Sequence, residues 1–156
     1  MSAAVPETEL AATFGERDVR AWRQHMGRLC HPLAAADLYA LEHDADGHCR
    51  MADRLLAVPV CIYVAVDDAG ACLYIGQCRR AVGGVVQRVE GHHAIPRFAT
   101  GLWVLPLRDD CPPAALDRIE RRMIAAYRPP FNTVHCPPAY RATVLRDTAS
   151  TAGVRR

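Results

Sequence analysis

The chain of 156 residues is long enough to bury one substantial core, and its 51% hydrophobic and 23% charged content excludes global disorder. A net charge of +2 is too small to grip nucleic acid by bulk charge alone. No apolar run is long enough to span a membrane and no signal peptide is recognised, so a soluble, cytoplasmic protein is expected, with no membrane partner. The charge is unevenly placed. Residues 1–57 carry nine acids and six arginines, 58–132 seven acids and nine arginines, and 133–156 one acid and four arginines. All 19 basic residues are arginine, which suits planar phosphate contacts but also follows from coding bias. The seven cysteines match no zinc-ribbon spacing and read as reduced thiols.

In chain order, the first segment, 1–57, reads as a helical N-terminal extension. Helices are expected over Thr8–Leu29, Pro32–His43 and Arg50–Ala57, with Asp44-Ala45-Asp46-Gly47 as a turn. Two strand-like runs follow, Pro59–Val66 and Ala71–Gly76, separated by Asp67-Asp68-Ala69-Gly70. A hairpin centred between Asp68 and Ala69 sets Tyr63 directly opposite Tyr74, two phenols on one face of the sheet. Such a pair either only stabilises the hairpin or is held for chemistry.

Ala81–His93 reads as a helix with Val82, Val85, Val86 and Val89 as its buried stripe. Arg88 and His92 lie four apart on one flank, an arrangement suited to phosphate but also common on surfaces. Thr100–Leu107 reads as a third strand. Pro112–Tyr127 is a helix with prolines at its start and an apolar stripe of Leu116, Ile119, Met123, Ile124 and Tyr127. Glu120 falls inside that stripe. A carboxylate facing a core is costly unless paired, hydrogen-bonded or metal-bound, so either the helix is rotated enough to let Glu120 escape, or Glu120 is a structural ion pair, a metal ligand or a catalytic carboxylate. Residues 133–156 read as a flexible, arginine-containing tail.

Taken in order, these pieces resemble the GIY-YIG nuclease family. The first motif stands as Cys61-Ile62-Tyr63 and the second as Tyr74-Ile75-Gly76, with ten residues between the tyrosines. The helix with Arg88 and His92 follows, then Glu120 on its helix, then Tyr127-Arg128-Pro129-Pro130-Phe131-Asn132. The resemblance spans about Val58 to Asn132. Cys61 departs from the glycine usual in the first motif, at a position that serves packing. Each tripeptide is weak alone; the ordered set is the signal.

The resemblance implies an α+β fold, with a small three-stranded antiparallel sheet flanked by helices in a 58–132 nuclease domain. It implies hydrolysis of DNA phosphodiester bonds by an endonuclease. Glu120 would hold a single Mg²⁺ or Mn²⁺. Tyr63 or Tyr74, with His92, would handle the proton of the attacking water, and Arg88 would hold developing phosphorane charge. Gly76 and Asn132 are assigned to positioning. The competing expectation is a catalytically silent nucleic-acid-binding module, or an interaction domain of a DNA repair complex, on the same fold.

Overall fold

The computed structural model describes residues 12–52, 58–90 and 95–132. Its centre is a five-stranded antiparallel sheet made of β1 (Asp37–His43), β2 (Cys49–Met51), β3 (Val60–Val66), β4 (Cys72–Arg79) and β5 (Gly101–Pro106). The spatial order is β2-β1-β5-β3-β4. Three α-helices complete the described fold: α1 (Glu16–Met26), α2 (Gly84–Glu90) and α3 (Pro113–Tyr127).

This overturns the expectation of a small three-stranded sheet with a helical N-terminal extension. The three expected strands are present, but β1 and β2 add to them beside β5. Asp37–His43, read as helix, is a strand. Its Ala-rich approach and Leu content favour helix, yet Tyr39, Leu41 and His43 turn inward while Leu38, Ala40 and Glu42 are exposed. That period of two fits an outer strand, and pairing with β5 overrides local propensity. Arg50 and Met51, also expected in a helix, belong to β2. The turn over Asp44–Gly47 is present, with the Gly47 N–H donating to the Asp44 carbonyl. Within Thr8–Leu29, the described α-helix runs only from Glu16 to Met26, followed by a short 3₁₀ turn over Gly27–Leu29. The expected tail and most of the expected helix after Arg50 lie outside the described residues.

β3 is a continuous apolar run, Val60 to Val66, with every residue buried. A strand covered on both faces reads this way. On one face, Val60, Ile62, Val64 and Val66 pack with Trp103 and Leu105 of β5 beneath α1 and α3. On the other, Cys61, Tyr63 and Ala65 pack with Leu102, Val104, Leu41, Met51, and Val85 and Val89 of α2. Val82, expected in the buried stripe of that helix, is 81% exposed because the helix begins only at Gly84. Gly84 has φ +48° and lies against the Val58 backbone, where a Cβ would meet the Val58 carbonyl oxygen at 2.6 Å. The Val85 N–H then donates to that same carbonyl at 2.9 Å. The close approach fixes α2 on the sheet, and with it Arg88.

β4 is an edge strand, and an unpaired edge is a liability. The chain covers it from both ends. The Cys72 N–H donates to the Ala12 carbonyl at 2.8 Å, and the Phe131 N–H donates to the Leu73 carbonyl at 3.1 Å. The Asn132 side-chain amide completes the cover: Nδ2 donates to the Ile75 carbonyl at 2.7 Å and Oδ1 accepts from the Ile75 N–H at 2.8 Å. No described helix is long and apolar enough to cross a membrane.

Candidate active site

The β3–β4 hairpin sets the first geometry. Tyr63 does not stand directly opposite Tyr74, as the hairpin centred on Asp68 and Ala69 required. Tyr63 pairs with Gly76, and Tyr74 pairs with Ala65. Two local features move the register. Asp67 organises a wider turn, its Oδ1 accepting from the N–H groups of Ala69 and Ala71, with Gly70 at φ +80°. A bulge between Ala65 and Val66 then adds one residue on β4. The total offset is even, so both tyrosines keep the same face and meet diagonally. Their rings are stacked, with centroids 6.2 Å apart and planes 29° apart.

Gly76 makes this stacking available. A Cβ at this position would collide with the ring and hydroxyl of Tyr63. The Tyr63 ring therefore lies across the Gly76 backbone, fully buried. Burial pushes the Tyr63 phenol well above its ordinary pKa, the neighbouring Tyr74 adds to that, and the Arg88 guanidinium opposes it. Among the described residues the Tyr63 hydroxyl makes no well-formed hydrogen bond. Tyr74 is half-buried. Its pKa is raised by burial and by the Glu120 carboxylate, and lowered by Arg88 and by the Tyr63 hydroxyl. Arg88 thus acts on both phenols, and Glu120 on Tyr74.

Glu120 reaches this cluster from α3, which packs on the other face of the sheet and against β4. It is half-buried, between the buried Ile119 and Met123. Its Oε2 accepts from Gln77 Nε2 at 2.8 Å, and the same nitrogen donates to Asp117 Oδ1 at 2.7 Å. Gln77, absent from the residues picked out in the sequence, therefore orients the carboxylate. A neutral amide on a strand gives no sequence signal for that role. Gly76 sits on β4 beneath Tyr63, and Asn132, which follows α3, clamps Ile75 of that strand. His92 lies outside the described residues.

Cys61 and Cys78 are directly opposed on the tyrosine face. Burial raises the Cys61 thiol, whereas donation from Cys61, with Arg80 and Arg88 nearby, lowers Cys78. Cys61, the departure from the family motif, thus packs against a second thiol. Among the described residues, one group of three or more candidate ligands has metal-ligand geometry, the exposed Asp44, Asp46 and His48 of the β1–β2 turn. Asp44 there already accepts from the His48 backbone at 2.8 Å and faces its ring at 3.3 Å. A groove of about 290 Å³ lined by Ala21, Trp22, His25 and Arg122 lies between α1 and α3, on the side of the sheet away from the tyrosine rings. It holds no carboxylate, and its Arg122 is already 3.0 Å from His25.

Comparison with protein-family models, with curated proteins and with solved structures gave no match.

Proposed function

We propose that this chain is a metal-dependent endonuclease that hydrolyses DNA phosphodiester bonds with Tyr74, Tyr63, Arg88 and Glu120. One observation carries the reading: groups from β3, β4, α2 and α3 converge so that a cation and a carboxylate both act on the Tyr74 phenol. Stability does not require that convergence, since burial of ionisable groups is itself unfavourable.

The residues fit a sparse metal site. Glu120 offers one half-buried carboxylate, already oriented by Gln77, and Mg²⁺ commonly takes one or two carboxylates and otherwise phosphate and water. A Mg²⁺ or Mn²⁺ held by Glu120 would supply positive charge to the scissile phosphate. The remaining work falls to side chains. Arg88 is permanently charged and planar, and meets the charge that develops on the phosphate oxygens. Tyr74, the more exposed phenol, handles the proton of the attacking water. Tyr63, whose buried hydroxyl has no well-formed partner and already lowers the Tyr74 pKa, would turn that hydroxyl toward Tyr74 as the phenolate forms. An ordinary phenol ionises near ~10, so Tyr74 acts near neutrality only when added positive charge outweighs Glu120 and burial.

The test is cleavage of supercoiled plasmid, then of branched and single-stranded DNA, with Mg²⁺, with Mn²⁺ and with EDTA. Metal-dependent cleavage by the wild type, abolished in Glu120→Ala with the fold intact, is expected. Absence of cleavage on every substrate overturns the reading in favour of a silent binding or interaction module. Arg88→Ala is expected to lower the rate by about 10²–10³ with little change in DNA affinity.

A further inference from the structure

Phe98 is 49% exposed on the stretch that leads from α2 to β5. An exposed phenylalanine needs no explanation by itself. Its setting is particular. The ring packs edge-to-face on Phe131, with centroids 5.3 Å apart and planes 63° apart. Phe131 is held in place by its N–H on the Leu73 carbonyl, and the next residue, Asn132, is clamped to Ile75 by two hydrogen bonds. Tyr74 lies between those two anchor points in the chain. Phe131 and Tyr74 also pack against the same cluster of buried residues. The other side of Phe98 is secured by its neighbour Ala99, which is buried in that cluster and whose N–H donates to the Pro96 carbonyl. A half-exposed aromatic ring is therefore packed at the border of the tyrosine site, on residues anchored by hydrogen bonds to β4.

We infer that Phe98 is a stacking platform for one unpaired nucleobase of the strand whose phosphate lies at Tyr74 and Arg88. The inference rests on the nuclease reading and adds a substrate preference to it. A base can lie flat on a phenylalanine only when it is out of its duplex, so the favoured substrate is single-stranded, frayed or branched DNA. Phe131 meets the ring in a T-shaped contact that leaves half of the Phe98 surface open to a base. Stacking of this kind tolerates any base, because every base has a π-face, so it selects strand structure and not sequence.

The experiment uses the full chain in EDTA, so that binding is read without cleavage. Short single-stranded oligopyrimidines carrying 2-aminopurine at successive positions are titrated, with anisotropy of an end label reporting binding. Emission from 2-aminopurine is expected to fall on binding at one position. Phe98→Ala is expected to abolish that change and to weaken single-strand binding about five- to hundred-fold, leaving duplex binding unaltered. Phe98→Tyr should restore both, which separates stacking from a folding defect. Binding without any Phe98-dependent change in emission overturns the inference and leaves the nuclease reading standing. A wild-type chain that binds no single-stranded DNA, in EDTA or with Ca²⁺ in place of Mg²⁺, also overturns the inference, while the nuclease reading is decided by the cleavage assay.

Discussion

At the scale of single residues, the two phenols are inequivalent. Tyr63 is fully buried, and burial and Tyr74 drive it from ionisation; Tyr74 is half-buried, its pKa raised by burial and Glu120 with Arg88 and Tyr63 opposing the rise. On the proposed mechanism Tyr74→Phe removes the group that takes the water's proton, and the rate is expected to fall about 10²–10⁴-fold at all pH values. Tyr63→Phe keeps Tyr74 but removes the donor that lowers its pKa. The rate should persist in part, with the ascending limb of its pH profile, which follows ionisation of Tyr74, displaced to higher pH. A displacement to lower pH, or equal losses in both variants, would contradict the assignment. The pair is coupled, so the profile reports the pair as a unit. Asn132 has a different kind of role. It is the buried polar residue that satisfies both backbone groups of Ile75. Asn132→Ala orphans an N–H and a carbonyl and is expected to destabilise the protein by about 1–3 kcal/mol for each, read by denaturant unfolding. Because Ile75 adjoins both Tyr74 and Gly76, activity should fall with stability.

At the scale of elements, one residue joins two helices. Tyr127 at the end of α3 accepts from Trp22 Nε1 at 2.9 Å and donates to Asp18 Oδ1 at 2.8 Å, both on α1. Its ring also meets Phe14 edge-on at 5.1 Å. Burial and the Asp18 contact push its pKa up to about 12. Tyr127→Phe keeps the ring and leaves both partners short of a bond, so a loss of about 1–3 kcal/mol is expected in thermal or denaturant unfolding, with no effect on metal-dependent rate in the folded protein. Tyr127 was legible in the sequence as an apolar-stripe residue, but its partners more than a hundred positions away were not. The same division runs through the fold. α3 was readable from its prolines and stripe, and β3 and β5 from their apolar runs. Glu120 stood out because it broke a pattern. The register between Tyr63 and Tyr74 did not, since a bulge and an Asp67-centred turn shift the pairing by two positions without altering composition. β1 was read as helix because Ala and Leu favour helix locally, and only the waiting edge of β5 decides otherwise.

At the scale of the whole molecule, the N-terminal third is built into the sheet and both cores. β1 pairs with β5 from Asp37↔Val104 to Ala40↔Gly101. Phe14, Val19 and Met26 enter the core beneath α1 and α3, and Leu41, Cys49 and Met51 enter the core beneath α2. Residues 12–14 also cover the outer edge of β4. Removing residues 1–57 therefore strips apolar contacts from both faces and opens both edges of the three remaining strands, β5, β3 and β4. A fragment of residues 58–156 is expected to lose its sharp thermal transition and to associate through its exposed edges, by near-ultraviolet circular dichroism and light scattering. The milder change Leu41→Ala, in the full chain, should cost about 2–5 kcal/mol through a cavity below the sheet while retaining the fold. If the fragment instead melts cooperatively as a monomer, the three-stranded core is self-sufficient, and the first two strands are an addition to it. The two outcomes also bear on catalysis. Tyr63 shares its core with Leu41 and Met51, so a fragment that folds but is inactive would show that β1 and β2 serve the tyrosine site by holding the buried ring of Tyr63 against Gly76.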